Sequence, residues 1–219
     1  MADSSEQVAP LIGGGAGGTA VRSVKKIRKF RLRPRPSAIL RNLKSLLDDT
    51  QITPELEKAV ETEILSVQEG LETAALFDAV TPAHAPAWME PLWIPAPGEK
   101  KPFALTTFVV TIGTDFESKL GDALSRGEGL RSRILTSLGE ELADQAAHFI
   151  ERLVAEEARR DSCELELRRL FTNPQDIMAT LEFLDAGRLS ISYDAAGHLS
   201  PRFTRAGVFP WGPPAKKKK

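Results

Sequence analysis

Leu105-Thr106-Thr107-Phe108-Val109-Val110-Thr111-Ile112 is a run of β-branched and aromatic residues with no polar alternation. Such a run fits a pleated strand covered on both faces. Gly113 ends it, and Thr114-Asp115-Phe116-Glu117 follows with the T-x-x-E spacing of a helix start, where a hydroxyl and a carboxylate satisfy orphan amide donors. Phe116, Leu120, Ala123 and Leu124 share one face of the predicted helix. Ser125-Arg126-Gly127-Glu128-Gly129 breaks it. A longer helix then carries Leu130, Ile134, Leu138, Leu142, Ala146, Phe149 and Leu153 on one stripe and is the expected wall of the core.

Upstream, Ser37 caps a predicted helix through Leu47 with Ile39, Leu40, Leu43 and Leu47 inward, and Asp48-Asp49-Thr50 closes it. Thr53 caps the next and Pro54 stands where a missing amide costs nothing. Leu56, Val60, Ile64, Val67 and Leu71 keep its helical spacing to about Ala74. From Arg22 to Arg35 there are eight basic residues interleaved with Ile27, Phe30 and Leu32, which reads as an edge strand whose charges discourage strand addition. Residues 81–102 hold six prolines with Trp88 and Trp93 and should form an extended covering segment anchored by the indoles.

Downstream, Cys163, Leu165 and Leu167 alternate with Glu164, Glu166 and Arg168, the period of a strand with one face in water. Asn173-Pro174 opens a short helix with Ile177, Met178, Leu181 and Leu184 inward, ended by Asp185-Ala186-Gly187. Leu189, Ile191 and Tyr193 mark a further strand and Asp194–Gly197 a turn. His198 to Trp211 returns as a last strand whose prolines point to an edge or an irregular segment. The expected class is α+β, helices packed on an antiparallel or mixed sheet. The expected organisation is a disordered glycine-rich tail (1–20), a basic strand with a two-helix lead-in and Pro/Trp cover (21–104), a core (105–211) and a lysine-rich tail (212–219).

The 219 residues carry a formal charge of −1, so no global field favours nucleic acid or membrane. A nucleic-acid-binding module built on the basic arm is the least favoured reading. The lone Cys163 leaves no internal disulfide and fits a reducing compartment. No stretch approaches the roughly 20 apolar residues of a membrane span, so the expected location is cytoplasmic. Gly13-Gly14-Gly15-Ala16-Gly17-Gly18 satisfies G-x-G-x-x-G, but a proline-broken segment precedes it and Arg33 and Arg35 stand where the ribose acid belongs. It is read as a linker. His84, His148 and His198 are scattered without ligand spacing, and no nucleophile motif is present.

Val109-Val110-Thr111-Ile112-Gly113 with Glu117, and Gly-Glu-Gly-Leu-Arg-Ser-Arg-Ile-Leu-Thr-Ser-Leu-Gly over 127–139, resemble the reactivation (activation) domain of cobalamin-dependent methionine synthase and its free-standing relatives. Phe183-Leu184-Asp185-Ala186-Gly187-Arg188-Leu189-Ser190-Ile191-Ser192-Tyr193 and Leu199-Ser200-Pro201-Arg202 are similar to that family's closing segments, and the lead-in helices come in the same order. The resemblance runs from about Val24 to Trp211. It implies a fold that binds S-adenosylmethionine and docks on a corrinoid protein or cobalamin-dependent methyltransferase, assisting reductive methylation with electrons from a flavodoxin-like or ferredoxin-like partner. The cofactors would supply the chemistry. The family's Pro-Gly-Tyr ligand loop has no counterpart, since Arg168-Arg169-Leu170-Phe171-Thr172-Asn173-Pro174 runs straight into a helix. By the resemblance, Arg168, Arg169 and Tyr193 are the candidate S-adenosylmethionine contacts. The alternative is a non-catalytic structural or regulatory subunit of a larger complex, using the Pro/Trp segment and the basic arm.

Overall fold

A computed structural model describes residues 23–46, 52–68, 70–95, 97–194 and 198–214. The glycine tail, the Asp48-Asp49-Thr50 stop, most of the Asp194–Gly197 turn and the terminal lysines lie outside the described residues. At the centre, β3 (Ala104–Thr111) and β8 (Thr204–Gly212) pair antiparallel from Ala104 opposite Trp211 to Thr111 opposite Thr204. β2 (Ala74–Val80) lies on the other side of β3, and β1 (Lys25–Arg28) forms the edge beyond it. The opposite edge is two short strands, β4 (Glu164–Leu165) and β5 (Arg169–Leu170), both on β8. A small hairpin, β6 (Ser192–Tyr193) with β7 (Leu199–Ser200), stands apart. The class is therefore α+β on an antiparallel sheet.

Alternation along the strands sends Phe77, Phe108, Val110, Phe209 and Trp211 to one face. There they pack with α1 (Pro36–Leu46), α2 (Pro54–Gln68), α3 (Thr114–Ser125) and α4 (Gly129–Arg160). Ala74, Leu76, Val109 and Ala206 face the other way, under α5 (Pro174–Leu184). Val80, Leu105 and Val208 meet Met89 of the Pro/Trp segment, so both faces of β3 are covered as its composition requires. Asn173 Oδ1 accepts from the Gln175 amide to start α5, and Asp185 ends it in the left-handed region at φ 53°. No helix of the described residues is long and apolar enough to cross a membrane.

Several expectations need correcting. The second helix stops at Gln68, where the Gly70 amide donates to Val67 O, and the next residues become β2. Leu71 keeps its helical spacing because it packs on the same core from the linker. Thr114 does not cap α3: the cap position is Gly113, at φ 92°, and the Glu117 carboxylate accepts from the Arg202 amide. Leu124 and Leu130 are exposed at the junction of α3 and α4, although Ala123 and Ile134 beside them are buried. The Pro/Trp segment is not extended throughout but takes 3-10 turns at Pro82–His84 and Ala87–Trp93. Leu167 is 79% exposed because the edge strand breaks between β4 and β5 and loses its alternation. The next predicted strand shrinks to β6, since Leu189 lies in a 3-10 turn.

The last strand is central instead of an edge. Pro210 is tolerated there because its carbonyl, and hence its amide-less nitrogen, points toward the broken edge, where Glu166 N donates to Pro210 O at 2.9 Å.

Candidate functional site

The three residues proposed from sequence do not converge. Arg168 points toward α4, 3.6 Å from the Glu151 carboxylate. Arg169, one residue on, points to the opposite face, as strand geometry demands. There it donates to Leu92 O and Ile94 O and pairs with Glu99, fastening the Pro/Trp segment to the sheet. Tyr193 donates from its hydroxyl to Glu182 on α5 at 3.2 Å. Burial and the Glu182 charge push its phenol above the ordinary range. None of the three lines the cleft beside the basic arm or the smaller one between α2 and the start of α4.

The larger cleft, about 990 Å³, opens where residues 28–33 leave the edge strand. Its far walls are the α2–β2 linker, the β3–α3 junction at Gly113-Thr114-Asp115, and Leu189, Ser190 and Pro201. The backbone of the arm is held firmly. Lys29 N donates to Thr73 O at 2.8 Å, Thr73 Oγ1 donates to Phe30 O at 2.7 Å, and Arg33 N donates to Gln145 Oε1 at 3.1 Å. Phe30 is buried and stacks on Phe149 at 4.5 Å. Lys29 sits at φ 56°, a left-handed conformation costing a side-chain-bearing residue about 1 kcal/mol. Opposite it, the Glu72 amide donates to Ile112 O. A Cβ on Gly113 would lie 2.6 Å from the Glu72 Cβ, so only glycine lets the linker approach so closely.

Four cations, Arg28, Lys29, Arg31 and Arg33, line the cleft, with Glu72 and Asp115 as its carboxylates. Nearby, Lys26 and Arg28 both donate to Arg188 O. Partial burial, with the Arg28 and Arg188 charges, pulls the Lys26 ammonium below its ordinary value. The basic run was visible in the sequence, but its wrapping into a concave wall was not, because that depends on the unrecognised β2. Among the described residues no group of three His, Cys, Asp or Glu side chains is placed to hold a metal ion. Cys163 is half-buried, its thiol pushed up by burial and by Asp161.

No protein-family model matches the chain, and no curated protein matches it by sequence. Its structure is similar to a crystal structure of the MetH reactivation domain bound to AdoHcy, with a TM-score of 0.59 at 10% sequence identity. The likeness covers 91% of this chain and 81% of that one. At this identity it establishes the fold.

Proposed function

We propose that the protein is a reactivation-type accessory of corrinoid-dependent methyl transfer, one that binds and positions. The observation carrying this reading is the likeness of fold, which extends over nearly the whole chain to a reactivation domain that binds AdoHcy. In this reading a corrinoid protein or cobalamin-dependent methyltransferase is the partner and a flavodoxin- or ferredoxin-type protein the reductant. S-adenosylmethionine would supply the methyl group, and the side chains of this protein would contribute orientation. Arg168, Arg169 and Tyr193 already hold protein partners, so the arrangement seen does not fit them to a bound ligand, and no step is assigned to them.

Those engaged side chains favour a second reading, a non-catalytic structural or regulatory subunit that keeps the fold without the ligand. Calorimetry of the full chain with S-adenosylmethionine and S-adenosylhomocysteine, together with purification of a tagged copy, separates the two. Saturable heat and a red, corrinoid-containing co-purifying fraction are expected for the first. Stoichiometric partner protein with neither heat, thermal shift nor colour would replace it with the second.

A further inference from the structure

The cleft beside the arm takes no part in that reading. We infer that it is a binding site for a small phosphate-bearing ligand of nucleotide size, its phosphates held by Lys29, Arg31 and Arg33. The arm pairs its other cations locally: Lys25 with Glu157, and Arg35 with Glu141. Among the described residues no carboxylate lies within ion-pair distance of Lys29, Arg31 or Arg33, three of the four cations that line the cavity.

Against Glu72 and Asp115, the four cations leave a positive excess in a concave site on a protein whose net charge is −1. Concave, low-dielectric walls focus such a field on an anion. The fixed backbone of the arm means that only side-chain freedom is lost when the cations engage. The volume suits a small ligand, and Leu71 and Leu189 offer apolar surface to the part that carries no phosphate. A nucleic acid is the poorer occupant. The two carboxylates share the groove a continuing backbone would follow, and the one aromatic of the lining, Phe30, is buried against Phe149 and cannot stack on a base.

Titration calorimetry of the full chain at low salt, with ADP, inorganic pyrophosphate, adenosine and a single-stranded oligonucleotide as probes, tests this. ADP and pyrophosphate should saturate and adenosine should not. Arg31→Ala with Arg33→Ala, both on exposed side chains, should weaken ADP by about tenfold or more, the scale of a lost charged hydrogen bond. Asp115→Asn should tighten it, and Arg159→Ala with Arg160→Ala, at the far end of α4, should leave it unchanged. The double variant should melt as the parent does. The proposal is overturned if neither ADP nor pyrophosphate saturates, if adenosine binds as well as ADP, or if the arm variant shifts affinity less than twofold. An oligonucleotide that binds more tightly than ADP through the same arginines would also overturn it.

Discussion

Arg35 donates to both carboxylate oxygens of Glu141, from Nε at 2.8 Å and Nη2 at 3.3 Å, and so ties the end of the basic arm to the middle of α4. The carboxylate is buried, while the arginine stem lies largely in water. Gln145 Nε2 donates to the same carboxylate at 2.7 Å, so the buried charge has two partners.

That arrangement sets a pH dependence. Burial alone would push the Glu141 carboxyl up, but the Arg35 and Gln145 hydrogen bonds and the Arg35 charge outweigh it and hold it below its ordinary value. The unfolded chain therefore takes up the proton first. The contribution to stability is complete above about pH 4.3, the unfolded carboxyl value, and is lost as pH falls through the folded one. Glu141→Gln should have a lower urea midpoint than the parent at pH 7, and the two midpoints should converge on acidification toward pH 3. Parallel midpoints across that range would show that the pair contributes no such term.

Gly139 lies on the buried face of α4 against Phe203, whose ring edge would stand 2.5 Å from an added Cβ. That ring is itself fully buried and meets Phe116 edge to face at 5.1 Å, so it has nowhere to retreat. Alanine normally gains about 1 kcal/mol over glycine inside a helix. Here overpacking of about 1–3 kcal/mol should outweigh that gain, and Gly139→Ala should lower the thermal midpoint. A raised midpoint would mean the helix can move off the sheet.

What could be read from the sequence follows from how strongly each local pattern is tied to one structure. The stripe from Ile134 through Leu142 to Ala146 allows only a helix with one buried face, and β3 allows only a covered strand. β2 escaped because Ala74-Ala75-Leu76-Phe77-Asp78-Ala79-Val80 has weak strand propensity and follows a helix whose spacing runs on to Leu71. The central position of β8 is not legible in the sequence because the harm a proline does depends on which neighbour its nitrogen faces, and Pro210 faces the gap in the edge. The basic arm was legible as composition. Its cleft required contacts distant in sequence, Lys29 with Thr73 and Gly113 with Glu72, which no local pattern records. Arg168 and Arg169 looked like one site and serve opposite faces.

The Pro/Trp segment should be the first part of the sheet cover to loosen. Trp88 meets Phe171 and Phe183 edge to face at 6.4 and 6.0 Å, and Arg169 holds two carbonyls and Glu99 of the same segment. Arg169→Ala leaves those acceptors without their charged donor and should cost about 1.5–3 kcal/mol. Its signature is local: amide exchange across residues 87–99 should rise well before that of β3. Uniform acceleration throughout the chain would indicate that the segment and the sheet open as one unit.

Trp211 is buried at the end of β8, and its indole Nε1–H donates to Thr106 Oγ1 at 2.9 Å across the β3–β8 ladder. Valine at 106 keeps the shape of threonine and its strand preference, so packing and backbone are unchanged and only the acceptor goes. A buried donor without a partner costs about 1–3 kcal/mol, whereas serine at the same position retains the oxygen. Thr106→Val should therefore be clearly less stable in urea than the parent, with Thr106→Ser closer to it. The tryptophan emission of the valine variant should shift if water enters to replace the lost oxygen. Equal stability of the valine and parent proteins would mean that the indole finds another acceptor within the core.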